Sequence, residues 1–248
     1  MPADILIYAL VAAGLIFWLR SILGTRRSDD PPPRINPFTI NPEPASGNDT
    51  SHGLMGVAAA SGAPANAEEL AANLERNMTI SGPQAEQGLL EIAHADPGFS
   101  LLHFLRGAQD AFALIVESFA IDDRETLKGL LDGPVFNAFN AALDERARAG
   151  ETASVEIHAI RRAEVTAAHL DRRMAYITVR FVADETSLLR DRDGKLLSGH
   201  PDRVTETIDI WTFGRDLRSR EPTWLVYETR EGDGDQQAGS TVPDAKKS

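Results

Sequence analysis

The stretch DERARAGETASVEIHAI, residues 144–160, holds the change of period on which the fold turns. Up to Ala149 it is made largely of good helix formers, and Gly150 most easily takes the left-handed conformation that ends a helix. Beyond it Val155, Ile157 and Ala159 alternate with Glu156 and His158, a repeat of two that describes a half-buried strand. The alternation returns where Ala175, Ile177, Val179 and Phe181 oppose Tyr176, Thr178 and Arg180. It appears again where Ile208, Ile210 and Thr212 oppose Asp209, Trp211 and Phe213. Residues 224–229 read as a last short strand, and Asp193-Gly194 is a pair that turns a hairpin.

On the N-terminal side of Gly150 the pattern is helical. A weak helix is expected over 65–78, where Leu70 and Leu74 stand four apart, and a second over 84–94. The strongest is expected to open at Asp96-Pro97, a capping residue followed by proline at the first helical position, and to run to about Ala120. Its apolar residues, among them Leu101, Phe104, Leu105, Phe112, Ile115, Val116 and Phe119, spread around most of the circumference. Such a helix packs on two sides, or offers its second side to a bilayer or a partner, and Leu101, Phe104 and Leu105 are the candidate contact residues. Asp122 or Asp123 caps a further helix through Leu131, and Gly133-Pro134 precedes one over 135–149. Helices first and strands afterwards give an α+β class, with the helices packed on one face of a curved antiparallel sheet.

The two termini are of another kind. Ile5, Leu6, Ile7, Leu10, Leu15, Phe17, Trp18 and Leu19 belong to a stretch without charge, which continues past Arg20 to about 20 residues, enough to cross a bilayer. Asp4 precedes the run, while Arg20, Arg26 and Arg27 follow it, and no small-residue cleavage site intervenes. That order is expected of an uncleaved single-pass anchor with the following domain in the cytoplasm. The divisions expected are an anchor over 1–27, a disordered Pro- and Gly-rich linker over 28–64, and a weak helix and linker over 65–83. A folded α+β domain over 84–230 and a disordered tail over 231–248 complete the chain.

Composition narrows the chemistry. A formal charge of −12 disfavours nucleic acid, and the lack of cysteine excludes disulfides, thiolate metal sites and a cysteine nucleophile. No two of the six histidines stand at the i, i+4 spacing of paired metal ligands. Asp191-x-Asp193-Gly194 lacks most of a calcium loop and reads as a turn. Phosphate loops and nucleophile elbows are absent from the sequence, so no metal, cofactor or catalytic residue is expected. A competing reading is a small-molecule site, binding or enzymatic, on the strands. Tyr176, Asp209, Trp211 and Phe213 are its candidate residues, with His158 a conceivable partner for Asp209.

A series of short blocks then carries a resemblance. Asp96-Pro97-Gly98-Phe99, Phe104-Leu105-Arg106-Gly107-Ala108, Ala111-Phe112, Ile115-Val116, Phe119-Ala120, Thr126-Leu127 and Leu130-Leu131 form its first half. Thr178-Val179-Arg180-Phe181, Arg190-Asp191 with Gly194, Asp209-Ile210-Trp211-Thr212-Phe213, Arg215-Asp216, Pro222 and Trp224 form its second. The set resembles the C-terminal domain of the Tim44-like family, over about residues 84–230, and within it the bacterial TimA-type branch of single-span inner-membrane proteins. The resemblance implies a cone-shaped fold related to nuclear transport factor two, its sheet wrapped around a hydrophobic cup that would hold such a small-molecule site, and membrane contact through the first helices. It also implies a non-enzymatic adaptor that meets membrane lipid and a protein partner: a translocase, a chaperone or a membrane protein client. Mitochondrial members carry a long partner-binding region before this domain, where this chain has an anchor and a Pro-rich linker.

Overall fold

The computed structural model describes residues 64–219, 221, 223–232 and 243–246. The anchor residues 5–19, Arg20, Arg26, Arg27 and the linker over 28–64, save Pro64, lie outside them. No helix among the described residues is long and apolar enough to cross a membrane. The helices are α1 (Ala67–Ala71), α2 (Gly82–Ala95), α3 (Leu101–Ala120), α4 (Arg124–Leu130) and α5 (Gly133–Ala149). The strands are β1 (Met78–Ile80), β2 (Thr152–Asp171), β3 (Met174–Arg190), β4 (Leu196–Gly199), β5 (Thr205–Asp216), β6 (Leu225–Glu231) and β7 (Ala245–Lys246).

Helices pack on one face of a single sheet in the order β1-β2-β3-β5-β6-β7, with β4 hydrogen-bonded to β3 beside the main path. The expected antiparallel sheet is in fact mixed, because β1 runs parallel to β2. This strand falls within the stretch expected to be weak helix and linker. Met78, Thr79 and Ile80 are too short a run to show a period, and only the open edge of β2 makes them a strand. The folded unit therefore begins before residue 84.

Gly150 ends α5 in the left-handed conformation, at φ 71°. The start of α3 differs from expectation. Asp96 closes α2 instead of opening α3, and Ser100 caps α3, its hydroxyl accepting the His103 N–H at 3.3 Å. Pro97, Gly98 and Phe99 form the turn between the helices, since the Asp96 carboxylate is engaged by the Gly98 N–H and by Arg215. Asp123 is the cap of α4, bonded to the Thr126 N–H at 3.1 Å.

The broad apolar surface of α3 is consumed by double-sided packing, with the sheet on one side and neighbouring helices on the other. Leu101, Phe104 and Leu105, the candidate contact residues, are all buried in this core. The physical reason is geometric: a helix sandwiched between two layers must be apolar on both. Gly88 of α2 permits the closest helix–sheet approach, since a Cβ there would lie 1.9 Å from the Ala168 carbonyl oxygen. Arg146 of α5 is also buried, donating to the Phe119 carbonyl at 2.9 Å in the last turn of α3. Burial pulls its pKa down to about 10, so it stays charged at neutral pH and complements the helix end.

The expected disordered tail over 231–248 contains a strand, β7. Residues 243–246 return to the sheet, where β7 pairs with β6.

Candidate functional site

The strand alternation determines what the cup contains. Asp209, Trp211 and Phe213 point to the helix-covered side of β5, and Val179, Phe181 and Ala183 do the same on β3. α3 fills the space between them. Phe112 stacks on Phe181 at 4.6 Å and lies 4.8 Å from Trp211, while Phe104 meets Phe213 edge-on at 5.7 Å. Of the expected pocket residues, Asp209, Trp211 and Phe213 are thus packed core, with Asp209 fully buried. His158 is exposed, its Nε2 2.8 Å from the Thr186 hydroxyl, so it forms no acid–base pair with Asp209.

Tyr176 departs from the expected group altogether. It stands on the opposite face, stacked on His169 at 5.0 Å and edge-on to Tyr227 at 5.5 Å. Gly214, its register partner, leaves room for the two tyrosine rings, since a Cβ there would lie 2.6 Å from Tyr227 and 3.0 Å from Tyr176. Burial raises the pKa of the Tyr227 phenol, and the negative charge of Asp132 adds to the effect.

The resemblance-bearing blocks converge at one end of the sheet. Arg215 of β5 forms an ion pair with Asp96 in the α2–α3 turn, both side chains mostly buried. The guanidinium also lies over Trp224, 5.4 Å from the ring centroid. Phe104 packs on the same indole at 4.8 Å, and Phe99 at 6.3 Å. Residues 119 positions apart in sequence therefore fix one corner of the molecule.

Beside that corner the β2–β3 hairpin ends in Arg172 and Arg173. Asp171 and Met174 are paired across it, leaving a two-residue turn in which Arg172 takes φ 57°. A glycine adopts that conformation more cheaply than an arginine. Arg173 Nε forms an ion pair with Asp216 at 3.1 Å, and the Arg173 carbonyl accepts the Leu217 N–H at 2.9 Å, tying the hairpin to the end of β5. Asp216 accepts the Arg218 N–H at 2.9 Å. The result is a cleft of about 540 Å³ lined by Asp171, Arg172, Arg173, Met174 and Arg218. Three guanidiniums outnumber the nearby carboxylates of Asp171 and Asp216, the latter paired with Arg173, and leave a local cationic excess on a chain of net charge −12.

Sequence reasoning did not single out these arginines. The available signal was a two-residue gap between alternating stretches, filled by two cations instead of Asn or Gly. The Asp191–Gly194 segment is the expected turn, with Asp191 Oδ1 accepting the N–H groups of Asp193 and Lys195 at 3.0 Å each. Among the described residues no three His, Asp or Glu side chains are grouped to hold a metal ion.

Comparison with known proteins agrees with this arrangement of blocks. A model of the Tim44-like domain matches residues 85–231. No curated protein matches. Among solved structures the chain is similar to the intermembrane space region of the chloroplast protein ARC6, with a TM-score of 0.37 and 16% identity. That match covers 51% of this chain and 95% of the other. The family model spans more than half of the chain and takes in both partners of the Asp96–Arg215 pair, and the chain belongs to the family of the Tim44-like domain.

Proposed function

We propose that the chain is a membrane-tethered, non-enzymatic adaptor of the bacterial inner membrane. A single N-terminal span holds it, and its Tim44-like domain lies on the cytoplasmic side. Its tether, residues 28–64, confines the domain close to the bilayer, so that weak contacts act at high effective concentration. The domain then presents a protein partner, in translocation or in the handling of membrane proteins, to the membrane surface. The cone shape of nuclear transport factor two, implied by the family, belongs to the same reading.

The observation that carries the membrane part is the cleft of Arg172, Arg173 and Arg218. An acidic chain is repelled by an anionic leaflet unless it turns a cationic face toward it. Lipid contact thus moves from α3, whose apolar surface is core, to the hairpin tip. Each arginine near an anionic surface contributes about 1 kcal/mol, so Arg172 and Arg218, beside an Arg173 already paired with Asp216, give on the order of thirtyfold in affinity.

The test uses the full chain in detergent-free nanodiscs and, separately, the folded domain released by protease from residues 28–64. Domain binding to vesicles of phosphatidylglycerol and phosphatidylcholine should fall by at least about thirtyfold in the Arg172→Glu, Arg173→Glu, Arg218→Glu variant, with unchanged circular dichroism. Raised salt should weaken the parent domain. Equal vesicle binding by parent and variant would refute the lipid surface. Crosslinking of the full chain in cells, read by mass spectrometry, tests the adaptor itself. Recovery of no reproducible membrane or protein-handling partner would refute it.

A further inference from the structure

Strand β6 is the last long strand of the sheet, and its outer edge is closed from two directions by the chain itself. Near its start, Leu131 bridges to Val226 in parallel, and the Asp132 N–H donates to the Val226 carbonyl at 2.9 Å. Further along, β7 adds as an antiparallel strand with Glu228 opposite Lys246 and Thr229 opposite Ala245. The Thr229 hydroxyl, 1% exposed with the rest of its residue, donates to the Pro243 carbonyl at 2.5 Å. The Glu231 N–H donates to Asp244 Oδ1 at 2.9 Å.

The contacts used at this edge are mostly main-chain ones. Only two residue pairs form the ladder, so little of the tail's identity is read. What is read is specific: a carbonyl for the Thr229 hydroxyl, from a residue that need not offer its own N–H, and then a short side-chain acceptor for Glu231. Proline followed by aspartate meets both requirements, and proline also pre-orders an extended backbone. A strand edge of this kind accepts any extended segment with that chemistry, the mode by which peptides add to exposed sheets.

We propose that the β6 edge from Glu228 to Glu231 is a docking site for an extended peptide of a partner protein, and that residues 243–246 occupy it in cis as a built-in competitor. The preferred segment carries a proline, then aspartate or asparagine. Release of the tail exposes the edge, and a partner strand restores the bonds to Thr229 and Glu231. The site supplies the client-recognition half of the adaptor reading and rests on it, while being independent of the lipid surface at the hairpin tip.

The chain lacks cysteine, so a pair introduced at Glu228→Cys and Lys246→Cys is free of competing thiols. The two positions face each other across the ladder. The full chain in detergent is compared in its oxidised and reduced forms. The probe is a fluorescent peptide of residues 240–247, Ser-Thr-Val-Pro-Asp-Ala-Lys-Lys. The disulfide should form under mild oxidation, and the reduced chain should bind the peptide at least tenfold more tightly than the locked one. A peptide carrying Asp244→Lys should bind the reduced chain at least threefold more weakly than the parent peptide. Failure of the disulfide to form would overturn the seating of the tail; equal peptide binding by locked and reduced chains would overturn the docking site. Failure to recover clients in cells, with peptide exchange intact, would count against the adaptor reading instead.

Discussion

The two faces of the sheet are built on the same strands and have opposite chemistry. On the helix-covered face Val179, Phe181, Trp211 and Phe213 are fully buried, and Phe112 of α3 packs its ring on Phe181 and Trp211. On the open face Thr178 and Thr212 share a hydrogen bond at 3.0 Å, and His169, Tyr176 and Tyr227 form an aromatic row above Gly214. The covered face supplies stability, because each large apolar side chain removed from water is worth about 2 kcal/mol. Surfaces available for recognition are therefore found at the hairpin tip and along the strand edge, outside the cup.

The contrast can be broken most severely from the covered side. Phe112→Ala should cost about 4 kcal/mol in urea unfolding, since it removes the ring that packs on both Phe181 and Trp211. A loss below about 1 kcal/mol would mean that the cup is not tightly filled. An intermediate effect is expected at the corner that joins the two layers. Asp96→Asn leaves the Arg215 guanidinium without its carboxylate and should cost about 2 kcal/mol, less than a fully buried pair because both groups keep some exposure. Asp96→Asn combined with Arg215→Met should recover part of that loss if charge burial is its origin. The smallest change belongs to the open face: Tyr176→Ser should shift unfolding by under about 1 kcal/mol, as for other partly exposed cross-strand pairs. A larger shift would show that the aromatic row is structural.

The α+β order, the end of α5 at Gly150, the Asp191–Gly194 turn and the alternation in β3 and β5 were legible because each depends on neighbours in sequence. The candidate pocket was not. Within one strand, period two separates two faces, but it does not say which face of the next strand joins which. Register alone puts Phe181 opposite Asp209 and Tyr176 opposite Gly214, and so divides Tyr176 from Asp209, Trp211 and Phe213. The start of α3 failed for a related reason. Asp96-Pro97 satisfies the local rules for a helix start, yet Arg215, far along the chain, claims the carboxylate.

Sequence by itself determined the classes of element, the family-bearing blocks, the acidic balance and an N-terminal run of the length and charge order of an anchor. These are properties of composition and of spacing within a few residues. Only the tertiary structure decided that α3 is core on both sides, that β1 and β7 are strands, and that three arginines share one cleft. Those outcomes depend on contacts between distant segments, and a short segment acquires its conformation there from the edge it meets, not from its own residues.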